Sequence, residues 1–115
     1  MRIYIAGPYT GPTEAVCEQN THAAIDAAIK LFRKGHFPYV PHLTHYVDRR
    51  ARQTGAMLGW EDYINWDSAW LELCDAILYI GKSKGADLEL EMARKLGKAL
   101  FFSVEEVPEV RQLTA

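Results

Sequence analysis

Short apolar runs alternate along this chain with stretches of helical periodicity, and that alternation limits the folds open to it. "RIYIA" (2–6), "HFPYVP" (36–41), "DAILYIG" (75–81) and "KALFFS" (98–103) read as strands. Continuous apolar runs of this length, closed by Gly, Pro or Ser, mark strands covered on both faces. Residues 14–34, 60–74 and 83–98 repeat their apolar positions at helical spacing, and Gly35 stops the first of them. A strand, a helix and a second strand in succession join as a parallel crossover. The chain is therefore expected to be α/β, a parallel sheet with helices on both faces. In such folds ligands bind beyond the carboxyl ends of the strands, where the strand order reverses. Loops 7–13 and 81–85 leave those ends. Residues 42–59 carry no clear period and read as a loop with a short helix, and the tail from 104 reads as a short helix.

The size fits one core. A chain of 115 residues has the length of a single ordinary domain. The net charge of −2 gives no general attraction for nucleic acid or an anionic membrane. No apolar run approaches the roughly 20 residues that a membrane helix needs. The opening "MRIYIAGPYT" enters a strand pattern directly, without the apolar core and cleavage site of an export signal. A cytoplasmic location is therefore expected, with Cys17 and Cys74 as reduced thiols and Cys74 as packing.

Two acids sit on the wrong side of their helices. In "SKGADLELEMARKLGK" (83–98) successive side chains advance by about 100°. Asp87, Glu91, Arg94, Lys95 and Lys98 then share one side, and Ala86, Leu90, Met92, Ala93 and Leu96 the other. Glu89 falls in the second group, placed in the first turn, where the helix dipole favours an anion. In "WEDYINWDSAWLELC" (60–74) Asp67 lies in the middle of an arc holding Trp60, Tyr63, Ile64, Trp66, Trp70, Leu71 and Cys74. The tryptophans are expected in the core, Trp66 and Trp70 toward its edge and available to another subunit. An unpaired buried charge is costly, so each acid needs a reason. One is a local cap or ion pair. The other is chemistry: paired carboxylates in a concave site are equipment for acid–base or nucleophilic work at a sugar carbon, one pKa being raised by burial while the other acid stays an anion.

Other residues carry weaker signals. Tyr4 lies in a strand whose side chains alternate, as core or as part of a site. Pro8 and Tyr9 are placed to stack on a base or to cover a core edge. His42 follows the second strand and is placed to line a pocket mouth. His42 and His45 have a spacing that suits a metal, but no further ligand stands out, so no metal is expected. "DRRAR" (48–52) reads as a solvated helix face before it reads as a phosphate site.

"SKGADLELEMA", "DSAWLELCDAILYI" and "RIYIAGPYTG" together resemble the nucleoside 2-deoxyribosyltransferase superfamily, in order and spacing, over about 100 residues. The chain is similar above all to small bacterial and phage members and to the deoxynucleoside monophosphate N-glycosidase branch. The resemblance implies a single domain over 1–115, Rossmann-like or flavodoxin-like, with a four- to five-stranded parallel sheet. It implies that Glu89 attacks the anomeric carbon of a nucleoside, that Asp67 assists protonation of the base, and that Tyr4 orients Glu89. Gly7, Ser83 and Gly85 would cradle the sugar's 5′ end. The chemistry asks for no metal or organic cofactor, since carboxylates and water or a base suffice. The partner implied is a small nucleoside or nucleotide, with a homodimer or larger homo-oligomer as the assembly. Nucleotide-cleaving members carry an Arg after the first strand where this chain has Pro8-Tyr9-Thr10, and a small residue where it has Asp87. The rival readings are a nucleotide-binding module without turnover and an interaction protein whose acids are buried polar links.

Overall fold

β1 (Arg2–Ala6) organises the molecule. Side chains of a strand point alternately to opposite faces, so Ile3 and Ile5 enter one layer and Tyr4 and Ala6 the other, and all four are fully buried. The computed structural model describes residues 1–110. In it β2 (Phe37–Tyr39), β1, β3 (Ala76–Tyr79) and β4 (Ala99–Phe101) lie side by side in that order, every pair parallel. The sheet has four strands, within the four to five expected.

The Ile3 and Ile5 face is covered by α1 (Glu14–Arg33). Thr13 caps this helix, its side chain accepting from the Val16 N–H. Ala24, Ala27, Ala28 and Leu31 pack on Ile3, Ile5 and Leu78, joined by Val107. The alanines let the helix lie close to the sheet. Burial of each large aliphatic side chain here contributes about 1.5–3 kcal/mol. The Tyr4 face is covered by α3 (Trp60–Leu73) and α4 (Lys84–Lys95), where Leu71, Cys74, Ala86 and Ala93 pack with Ala6 and Ile77. Helices thus lie on both faces, as the alternation predicts.

Three expectations change. Residues 42–59 are more helical than they read: a 3-10 turn at Pro41–Leu43 runs into the eleven-residue α2 (Thr44–Thr54). Its buried residues are His45 and Ala51, so it lacks the apolar stripe by which a helix is recognised. Gly55, at φ +79°, ends it in the left-handed region that glycine adopts at no steric cost. The tail forms a single 3-10 turn at Val104–Glu106, and residues 111–115 of the expected helix lie outside the described residues. The tryptophans are not core: Trp60, Trp66 and Trp70 are 44–49% exposed. α3 buries a narrower stripe than its composition suggests, centred on Asp67 and Leu71. Among the described residues no helix is long and apolar enough to cross a membrane.

β2 is an edge strand, as its prolines predict. The Phe37 N–H donates to the Met1 carbonyl on the β1 side. Backbone N–H groups alternate in direction along a strand, so the nitrogen of Pro38 faces away from the sheet, where no ladder bond is lost.

Candidate active site

The chain passes from β1 outward to β2, then returns to place β3 on the other side of β1. The connections leaving β1 and β3 therefore diverge at the carboxyl end of the sheet. A cleft of about 530 Å³ opens there, a volume suited to one small molecule. Its inner wall holds Asp67 of α3 and Glu89 of α4. Gly7 and Tyr9 come from the loop after β1, and Ser83 and Gly85 from the start of α4. Asp48 and Arg52 of α2 and Tyr63 of α3 form the far wall.

Glu89 reaches this wall because Ala86 and Ala93, one turn to either side of it, seat α4 on the sheet. Helix α4 starts at Lys84, so Glu89 stands in the second turn rather than the first. The dipole fades beyond the first turn, and the support for a charge at Glu89 comes instead from Tyr4. That hydroxyl, fully buried on the sheet floor, donates to Glu89 Oε2. Burial pushes the Glu89 carboxyl up to about 8; the Tyr4 hydroxyl opposes the rise and the nearby Asp67 adds to it. Tyr4 itself is held far above the ordinary phenol range, first by burial and then by the two acids, and stays a donor. Asp67 is 8% exposed. Burial pushes it up to about 7, opposed by the hydroxyl of Tyr39, which lies 3.4 Å from Asp67 Oδ1. Because Asp67 raises Glu89, the two acids lose their protons in two steps belonging to the pair. Near neutrality the pair holds about one proton, and the form with its charge on Glu89 is the one that the Tyr4 bond supports.

Ser83 caps α4: its Oγ accepts from the Ala86 N–H at 3.0 Å, and its own proton remains to be donated. A Cβ on Gly85 would meet nothing within 4 Å, so this glycine leaves space in the cleft rather than serving packing. Gly7 is the reverse case. A Cβ there would stand 2.4 Å from Ile80 Cγ1, because the ends of β1 and β3 converge. Gly7→Ala is expected to lower stability by about 1–3 kcal/mol through overpacking, read by thermal unfolding, with a smaller loss in an Ile80→Ala background.

Pro8 is not on the cleft wall. Its ring packs at Gly81, where a Cβ would lie 3.0 Å from Pro8 Cδ, so the expected stacking role falls to Tyr9 alone. His42 lines the cleft, but its ring is committed to the loop: Nε2 lies 3.1 Å from the carbonyls of both Gly7 and Pro8. Carbonyls only accept, so Nε2 carries the proton. Burial holds the His42 pKa low, against those two bonds. His45 turns elsewhere, with Nδ1 2.7 Å from the Tyr9 hydroxyl. That contact fixes Tyr9 between the loop and α2. Asp87 is drawn off the cleft, its oxygens taken by Tyr79 at 2.6 Å and Lys82 at 3.5 Å.

Among the sequence candidates, Gly7, Tyr9, His42, Asp67, Ser83, Gly85 and Glu89 meet at one cleft, with Tyr4 directly behind Glu89. Sequence reading did not single out Tyr39, Asp48 or Tyr63. Tyr63 donates to Asp48 at 2.8 Å, and Asp48 pairs with Arg52 at 2.8 Å. Only the fold brings these together. The one local signal is the i, i+4 spacing of Asp48 and Arg52.

Residues 1–102 match the family described as "Domain of unknown function (DUF4406)". The chain belongs to this family. No curated protein matches the DUF4406 chain. Among solved structures it is similar to a "2-desoxiribosyltransferase from Leishmania mexicana", at 23% identity and a TM-score of 0.57. The match covers 86% of the DUF4406 chain and 61% of the other, so this chain spans less than two thirds of its neighbour's length. At that identity the likeness establishes a shared α/β fold, in agreement with the architecture described above.

Proposed function

We propose that the cleft cleaves or transfers the N-glycosidic bond of a nucleoside or nucleotide, through a covalent bond between the sugar and Glu89. The observation that carries this reading is the pair of carboxylates on adjacent helices, Asp67 buried and Glu89 half-buried, opening onto one cleft, with a phenol donating to Glu89. The named activity of the structural neighbour supports the substrate class.

In the first half-reaction an oxygen lone pair of ionised Glu89 forms a bond to the anomeric carbon as the bond to the base nitrogen breaks. The base leaves with the bonding pair and takes the proton of Asp67. In the second, water or another base attacks the same carbon, and the ester oxygen leaves with its electrons, restoring Glu89. The proton given up by the acceptor returns to Asp67. Tyr4 keeps the Glu89 oxygen in line and, by its bond, favours the anion. Ser83 and Gly85 suit the sugar's far end, and Tyr9 a base face. Lys84 also lines the cleft, its amine 5.1 Å over the Trp60 ring. Asp87 does not line the cleft and is held by Tyr79 and Lys82, which lessens its repulsion of a 5′-phosphate at the start of α4.

The test is chromatography of the purified protein with common deoxynucleosides and their monophosphates, each with and without a second free base, beside Glu89→Ala. Release of a base or appearance of a new nucleoside, lost in the variant, is expected. The donor consumed reports the phosphate requirement, and the acceptor separates hydrolysis from transfer. Ligand-induced stabilisation without product from any donor would replace this reading with a nucleotide-binding module.

A further inference from the structure

We infer that Tyr39 is a positioning residue for Asp67, a strand-borne hydroxyl that takes up the charge Asp67 acquires when it releases its proton. The inference rests on the reading of Asp67 as proton donor. Tyr4 and Tyr39 occupy facing positions on neighbouring parallel strands. Their rings lie 5.5 Å apart at 32°. Tyr4 donates to Glu89 and Tyr39 to Asp67. Each acid thus has its own phenol, and the two phenols stand side by side on the sheet. Trp70, one turn beyond Asp67 on α3, stacks on the Tyr39 ring at 5.7 Å and 21°. The helix that carries the acid therefore also holds the ring aimed at it. Among the described residues, Tyr39 supplies the hydrogen bond to the Asp67 carboxyl.

The 3.4 Å separation is long for a hydroxyl bond. A protonated acid attracts the phenol weakly, and an ionised one draws it in. A bond that tightens only as charge develops acts on the transition state more than on bound substrate. The other titratable or charged groups around Asp67 are Glu89 and Lys84 from α4, Tyr4 from β1, His42 from the 3-10 turn, Asp48 and Arg52 from α2, and Tyr63 and Cys74 from α3 and its end. None of these bonds Asp67 among the described residues, so loss of the Tyr39 hydroxyl changes its titration directly.

The experiment is a carbon-13 carboxyl titration of the wild-type protein and Tyr39→Phe, with Asp67→Asn to assign the resonance, alongside steady-state kinetics. Phenylalanine keeps the ring stack. The Asp67 midpoint is expected to rise by about one unit in Tyr39→Phe. kcat is expected to fall about tenfold with KM little changed, the cost of one hydrogen bond to a developing charge. Trp70→Leu, which frees the ring, should move the midpoint in the same direction. An unmoved midpoint in folded Tyr39→Phe, with wild-type turnover intact, overturns the inference alone. A moved midpoint in a protein without turnover on any donor supports the Tyr39–Asp67 link and overturns the glycosidic reading instead.

Discussion

Glu89→Gln is expected to abolish turnover and to melt at a higher temperature than the wild-type protein. Glutamine is nearly isosteric and still accepts from Tyr4, but its amide cannot form the bond to the sugar. Loss of a covalent nucleophile lowers kcat on the order of 10³-fold or more. The stability gain follows from the direction of the pKa shift. The folded-state carboxyl, at about 8 against an ordinary 4.5, binds a proton that the unfolded chain has released. Over that interval the folded state holds more protons, so the wild-type protein loses stability as pH rises from about 4.5 to 8. The glutamine variant has no such loss. Its advantage should be near zero at pH 4.5 and reach about 2–4 kcal/mol at pH 8. Melting curves at both pH values, beside base release, check both halves. A variant that still turns over, or melts below wild type at pH 8, contradicts the assignment.

Asp67→Asn should lower kcat/KM about 10²–10⁴-fold, the usual contribution of a positioned proton donor, and change the shape of the pH profile. In the wild-type protein activity requires one proton on the pair. With the two acids raised to about 7 and about 8, the rate should form a narrow bell between those values. Asparagine has no proton to lose, so the alkaline limb should disappear. The acidic limb should remain, because Glu89 must still lose its proton and does so beside a neutral group in both proteins. A sugar donor whose leaving group needs no proton should recover most of the lost rate. A profile that stays bell-shaped in Asp67→Asn would assign the donor elsewhere.

Much of this arrangement is legible in the sequence because strand and helix periods are local. Alternation in "RIYIA" separates Ile3 and Ile5 from Tyr4 and Ala6, and the fold gives those pairs to opposite layers. Glu89 stands out among Ala86, Leu90 and Ala93, and Asp67 is flanked by Leu71 and Cys74 at helical intervals. The tryptophans mislead because periodicity reports what a face is made of, not how much of it a small sheet covers. The covered stripe of α3 is narrow, and Trp66 and Trp70 fall outside it. Helix α2 was hidden because its inner face is a histidine and an alanine. The far wall of the cleft was the least legible part. Asp48 and Arg52 pair at i, i+4 within α2, but the bond from Tyr63 to Asp48 joins two helices and depends on the turn at Gly55. Pro8 stands next to Tyr9 in sequence, yet it spends its ring on Gly81.

Pro38 has a consequence for how molecules of this protein can meet. The open side of β2 is the outer edge of the strand that carries Tyr39, and an open side is a template on which a foreign strand can add. Three residues make a short template, and the missing donor at its centre removes the bond that would fix an incoming chain in register. Growth of the sheet by recruitment of further chains is therefore blocked at the margin nearest the acids. The tyrosine floor stays bounded by its own chain.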